Sequence, residues 1–356
     1  VLETKVISLD FEHYHGWPTV ARRKNGQLVV TYSGGRERHV CPFGRVEMIV
    51  SNDDGSTWSY PRVLLNDDID DRDSGIIETS RGTLLVTTFT SLAYEAVLRQ
   101  AQNKKPGEPG AWPPDRLKLW QAAQNRLTAE QRQAELGEWL IRSTDGGLTW
   151  SNRLPTIANS PHGPIQLRDG RLLYAGKELW TKGQRIGVSE SLDDGQTWRW
   201  LAEFPTRPGD KNGNYHELHA VEIAEGHLLA QIRNHNAANA GETLQSESTD
   251  GGKSWSVPHS IGVWGLPSHL LNLRSGRLLM TYGHRRAPFG NQARISNDLG
   301  KTWSEPMLIS ADGITGDLGY PSTAALGDGT LLTVWYESMK NYPRAVLRQA
   351  RWRLDS

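Results

Sequence analysis

Apolar residues in this chain come in short runs separated by turn-forming residues, and none of the runs is long enough to span a bilayer. Six times a short apolar strand meets a Gly turn and a second strand opening on Leu. The turns are Asn25-Gly26-Gln27-Leu28, Arg81-Gly82-Thr83-Leu84, Asp169-Gly170-Arg171-Leu172, Glu225-Gly226-His227-Leu228, Ser275-Gly276-Arg277-Leu278 and Asp328-Gly329-Thr330-Leu331. Six hairpins of one build predict six blades of a β-propeller, an all-β fold. A propeller must close on itself. The alternating run Val1 to Leu9 is the expected closing strand, completing the last blade beside the strand-like run Ala345 to Leu354.

A second repeat sits between these hairpins. The eight-residue pattern S-x-D-x-G-x-[T/S]-W occurs five times, over 51–58, 143–150, 191–198, 248–255 and 296–303. Each copy lies between two apolar runs and reads as a turn. Its Asp can accept from nearby backbone N–H groups, its Gly supplies positive φ, and its Trp can pack back between neighbouring sheets. This is a structural device rather than chemistry. The long spacing between the first two copies contains an insertion over 93–136, in the second blade, with helix-like runs over 93–102 and 115–136 around a Pro/Gly-rich break at 105–114. Thr128 and Gln131 fit a capping box. The run is poor in apolar residues, so it is expected to pack over a propeller face within a single domain spanning 1–356.

Composition narrows the partners. The 356 residues carry formal net charge zero, which argues against nucleic acid or an anionic membrane. The single cysteine, Cys41, allows no intrachain disulfide. Fourteen Trp exceed what five repeat turns need and leave others, Trp17 among them, for a binding surface.

The hairpin repeat also supplies a ruler. Counting back from each turn Gly reaches Trp17, Asp73, Pro161, Glu217, Pro267 and Tyr320, and two residues on come Thr19, Gly75, Gly163, His219, His269 and Ser322, with His162 between the sets. Innermost propeller strands line the central channel, so carboxylates, a phenol and imidazoles converge on one axis. A second ring at the far ends of the following strands holds Arg36, Lys177, Glu178, Arg233, His284, Arg285, Arg286 and Glu337. Arg at such a mouth suits a carboxylate ligand. His162, His219 and His269 are candidates for the substrate pocket or, less readily, for a metal. Asp70 to Asp73 reads as a turn leading into Asp73 rather than a calcium loop, and no metal is expected.

The five turns are Asp boxes, and over nearly its whole length the chain resembles the sialidase (neuraminidase) superfamily of six-bladed propellers. The resemblance implies a Tyr nucleophile activated by a Glu, an acid/base Asp and three Arg that clamp a sugar carboxylate. Gly319-Tyr320-Pro321-Ser322-Thr323, followed by Trp335-Tyr336-Glu337, looks like the nucleophile segment, with Tyr320 as nucleophile. Glu217 is similar to the activating Glu, Arg233 to the second clamp, and Arg285 or Arg286 to the third. Two features depart from the pattern. Pro18 is preceded by Gly16 and Trp17, so the first clamp Arg is missing, and Arg36 or Arg38 is a candidate to replace it. His39 stands where the acid/base Asp would be, and the role passes to His39, Glu37 or Asp73. Trp17, His162, His219 and His269 complete the expected substrate pocket.

The expected function is an exo-glycoside hydrolase that removes a terminal acidic sugar, a sialic acid first, from a glycan or glycoconjugate without a cofactor. A hydrolase or lyase acting on uronate- or rhamnose-containing polysaccharide is the alternative, and a non-catalytic glycan-binding propeller the second. A secreted or periplasmic location is expected, although no signal segment is visible; oligomeric state is not legible.

Overall fold

The computed structural model describes residues 1–354. It is a six-bladed propeller, each blade a four-stranded antiparallel sheet. Blade one starts with Tyr14–Arg22, blade two with Asp70–Glu78, blade three with Ile165–Gln166, blade four with Tyr215–Ala224, blade five with Ser268–Asn272 and blade six with Leu318–Ala325. These are the innermost strands. The N-terminal strand Glu3–Val6 pairs antiparallel with Val346–Trp352 and becomes the outer strand of blade six, as the alternation of 1–9 leads one to expect.

Strand periodicity builds the core. Successive side chains point to opposite faces of a sheet. In blade two, Leu85 and Leu140 therefore meet Leu172 of blade three, while Val86 and Ile141 meet Val29 and Met48 of blade one. Each of the other interfaces between neighbouring blades has its own apolar cluster of the same kind. The second strands of blades one, three and six are buried at every position, as strands sandwiched on both faces must be.

The repeated turns lock the blades together. In the first, Asp53 accepts from Ser51 Oγ (2.7 Å), Thr57 N (2.9 Å) and Thr57 Oγ1 (2.6 Å), and the same net recurs around Asp145, Asp193, Asp250 and Asp298. The Trp reaches the preceding blade: Trp58 Nε1 donates to Gln349 (2.8 Å) of blade six, and Trp303 Nε1 to Gln245 (3.2 Å) of blade four.

Between the second and third strands of blade two run three helices, α1 (Ala93–Gln102), α2 (Pro114–Gln124) and α3 (Ala129–Ala134). The capping box of Thr128 and Gln131 opens α3. Tyr94, Leu98 and Trp120 of α1 and α2 pack on Cys41, Val40 and Phe43, so the insertion covers the blade-one loop that carries His39. No helix among the described residues is long and apolar enough to cross a membrane.

Candidate active site

The ruler residues that are not proline share a backbone irregularity. Trp17, Asp73, Glu217 and Tyr320 have φ of 55°, 55°, 21° and 53°. The pairing register slips at each of these places. Large side chains seldom occupy this region, and each instance costs on the order of 1–3 kcal/mol. Four equivalent instances make a bulge built into the repeat, a device that re-aims a side chain out of the pleat. Proline cannot take positive φ. At Pro161 and Pro267 the bulge is absent, and the inner strands begin only at Ile165 and Ser268.

Three of the re-aimed groups belong to one cluster with Arg233. The Tyr320 hydroxyl donates to Glu217 Oε1, and Arg233 Nη1 pairs with Glu217 Oε2 while lying 3.2 Å from the Tyr320 oxygen. Burial and then the Glu217 charge push the Tyr320 phenol well above its ordinary value, so it is neutral at rest. Burial works against the charge of Glu217, but Arg233 and the Tyr320 bond outweigh it and hold the carboxyl below its usual range. Asp73 senses the same Glu217. Burial, then that like charge, pushes it up to about 7, and it is 8% exposed with no hydrogen-bond partner for its carboxyl among the described residues.

Beside this cluster lies a second one, nearer solvent. His39 Nδ1 is 2.8 Å from Asp317 Oδ1, with side chains 42% and 34% exposed. Tyr14 donates to both Asp317 oxygens at 3.1 Å, and Tyr336 donates to Oδ1 at 3.0 Å. Trp17 joins the two clusters, its ring 4.9 Å from His39 and 6.4 Å from Tyr320.

Several expected contacts are corrected by burial. Arg36 does not face a ligand: it is fully buried and donates to both Asp70 oxygens (2.7 and 3.0 Å), Ser33 Oγ, Asp71 O and His39 O. Its job is to hold the loop of His39. Trp17 is 1% exposed and serves as a wall, not an open platform. Arg286 turns away onto the ring of Trp264 at 3.7 Å, whereas Arg285 lies 5.6 Å from the Tyr320 ring, its Nε donating to Leu318 O. Glu37 is engaged by Arg116 (2.5 Å) and Trp120 (2.6 Å) of α2 and is not free for proton transfer.

The three histidines lie apart from the cluster. His162, His219 and His269 are mutual neighbours with ring centroids 4.6–5.5 Å apart, 8% exposed or less. They cap a cavity of about 520 Å³ that runs down the axis between Thr19, Ile76, Ala220, Leu270 and Ala324, toward the face of the Gly turns. His219 Nδ1 accepts from Leu270 N (2.9 Å) and His269 Nδ1 faces Thr323 N (3.4 Å). Their protons therefore sit on Nε2, which makes both poor metal ligands. Burial drives His219 down to about 3 and the other two well below the ordinary range, so all three are neutral.

Sequence reasoning missed Asp317, Tyr14, Tyr336 and Arg72. Tyr336 pairs across the sheet with Gly319, next to Tyr320, so register was the signal that could have found it. Arg72 precedes the ruler residue Asp73, and its guanidinium stacks on Trp17 at 4.6 Å.

A family profile described as a BNR repeat-like domain matches residues 92–333, well over half of the chain. The chain belongs to the BNR repeat-like family. This BNR propeller is sialidase-like. It is 28% identical over 349 residues to a sialidase of Micromonospora viridifaciens, covering 88% of this chain and 48% of that one. A sialidase of Clostridium perfringens is 23% identical over 265 residues, covering 72% and 52%. The BNR chain thus spans about half the length of these relatives. Among solved structures, a Dyadobacter fermentans protein of unknown function superposes with a TM-score of 0.78 at 22% identity, covering 99% and 98% of the two chains. The intramolecular trans-sialidase from Ruminococcus gnavus gives 0.66 at 14% identity, covering 96% and 95%.

Proposed function

We propose that this BNR propeller is an exo-acting, retaining glycoside hydrolase that removes a terminal acidic sugar, a sialic acid first, from glycans outside the cytoplasm. The observation that carries the reading is the contact of the Tyr320 phenol with the Glu217 carboxylate beside Arg233. A neutral phenol suits an anionic sugar, which would repel a carboxylate nucleophile. Glu217 draws off the phenolic proton as Tyr320 attacks the anomeric carbon, and Arg233 stabilises both partners. Arg233 Nη2 and the Arg285 terminal nitrogens have no protein partner among the described residues, so they are free to bind the sugar carboxylate bidentately. His39 or Asp73 protonates the leaving oxygen. The names of the relatives, sialidases among them, support the same substrate class.

The test is release of 4-methylumbelliferone from its α-sialoside by the wild type and by Tyr320→Phe. Turnover that falls at least about a thousandfold in the variant supports the reading. A wild type without turnover overturns the sialoside assignment.

One observation favours a second reading. Gly16 stands where the resemblance calls for an Arg, and Arg36 is enclosed, which weakens the clamp. The alternative is a hydrolase or lyase of uronate- or rhamnose-containing polysaccharide, and an unsaturated product absorbing in the ultraviolet would identify a lyase. Binding without turnover, unaffected by Tyr320→Phe, would mark a glycan-binding propeller.

A further inference from the structure

Resting on the glycosidase reading, we infer that His39 is the proton carrier and that Asp317, brought by blade six, is its positioning residue.

Of the candidates, Glu37 is held by Arg116 and Trp120, and Asp73 is enclosed, whereas His39 is 42% exposed at the mouth. A group that must reach a departing oxygen and later a water has to face the opening. The contacts of His39 then fix its tautomer. Asp317 Oδ1 lies 2.8 Å from Nδ1, and a carboxylate only accepts, so Nδ1 carries a proton. That leaves Nε2 as the working nitrogen, protonated before bond cleavage and bare afterwards. Tyr14 and Tyr336 fix Asp317 in turn, three hydroxyl contacts at 3.0–3.1 Å that leave the carboxylate little freedom to rotate. The imidazole plane is set from the other side by Trp17, which meets it edge-on at 86°. The main-chain oxygen of His39 is held by Arg36 at 3.0 Å, and the helical insertion packs on Val40, Cys41 and Phe43 just beyond it. Backbone, ring and tautomer are therefore each held by a different element.

Tyr320 Oη forms a bond to the anomeric carbon and gives its proton to Glu217. The glycosidic C–O bond breaks, its electron pair goes to the leaving oxygen, and that oxygen takes the proton from His39 Nε2. Water then attacks the anomeric carbon and surrenders a proton to the bare Nε2. The Tyr320 bond breaks, and the phenolate recovers its proton from Glu217.

The charged groups facing His39 are Asp317 from blade six, Arg72 from blade two and Arg36 from its own blade, with the Tyr14 hydroxyl alongside. Burial lowers the imidazole from its ordinary value, and Asp317 opposes that fall. Removing Asp317 therefore leaves burial and two guanidinium groups acting alone.

The experiment compares two leaving groups. Protonation matters for a sugar alkoxide such as that of sialyllactose and far less for an acidic aryl leaving group such as 4-nitrophenol. Asp317→Asn is expected to cut kcat/KM on sialyllactose by about 10²–10³ and on the 4-nitrophenyl sialoside less than about tenfold, with KM little changed. His39→Ala should show the same split, and adding Asp317→Asn to it should cost nothing more, because Asp317 acts through His39. Independently of turnover, the NMR titration midpoint of His39 should fall in Asp317→Asn. Equal losses on both substrates, additive losses in the double variant, or an unmoved midpoint would each overturn the inference while leaving the glycosidase reading intact. A wild type inactive on both substrates would overturn that reading instead, and the midpoint would still decide whether Asp317 governs His39.

Discussion

The two ends of the propeller axis are made by the same strands and behave in opposite ways. At one end the ruler residues Asp73, Glu217 and Tyr320 are turned out by bulges, and Arg233 sits among them. Two residues further along, His219 and His269, with His162, close the axial cavity and have no counter-charge beside them. Both groups are buried. The first keeps Glu217 ionised because a guanidinium repays its desolvation; the second has only backbone N–H and hydroxyl partners and stays neutral. Burial alone does not decide whether a polar cluster holds a charge. The partner that comes with it does.

The largest expected effect separates the ends by activity. Glu217→Gln should lower kcat about a thousandfold, and adding it to Tyr320→Phe should cost little more, since the two act as one unit. His219→Asn, which keeps an acceptor for Leu270 N, should leave kcat within about threefold. A large loss in His219→Asn would dissolve the distinction between reactive and structural ends. Next come the arginines. Arg285→Ala is expected to raise KM about tenfold or more through a lost carboxylate contact, and Arg286→Ala, seated on Trp264, less than about twofold, both read from initial rates.

The smallest effects are on stability, and the two ends should have opposite signs. The neutral histidines have folded values below the unfolded one. The unfolded chain then binds more protons, and stability is lost as pH falls from about 6.5. Asp73 is raised from 3.8 to about 7, so the folded chain binds more protons and stability is lost as pH rises between those values. Asp73→Asn should therefore raise Tm more at pH 7.5 than at pH 5, by a few degrees, while His219→Asn should help below pH 6. Thermal melts of both variants across this range check the signs together.

Much of the fold was legible because propeller repeats write themselves into the chain. The Gly turns and the Ser–Asp–Thr–Trp turns recur because each blade repeats the same hairpin and the same blade-to-blade lock. The ruler brought Tyr320 and Glu217 to one place because equivalent positions carry an equivalent bulge. It misled for Trp17, and the second ring misled for Arg36, because period and spacing locate a side chain along the axis but not its depth. Asp317 was illegible for another reason: it meets His39 from 278 positions away, and no local pattern encodes such a meeting, whereas Tyr14 lies opposite Arg36 in the same blade and was reachable only through the register.

The closure of blade six has a consequence for how this molecule comes into being. Leu347 N bonds Ser8 Oγ across 339 positions of chain, and Glu3–Val6 completes the sheet that carries Tyr320 and Asp317. During synthesis, blades one to five can stack in turn, each on the last. The strand that bears the phenol follows blade five, and its sheet is complete only when Glu3–Val6 returns to it. Glu217, Arg233 and His39 are thus in place before their partners arrive. A chain lacking the phenol-bearing strand would hold most of the fold and only the Glu217 half of the Tyr320–Glu217 pair, and, on the proposed glycosidase reading, release of product would report ring closure more sharply than any spectroscopic measure of strand content.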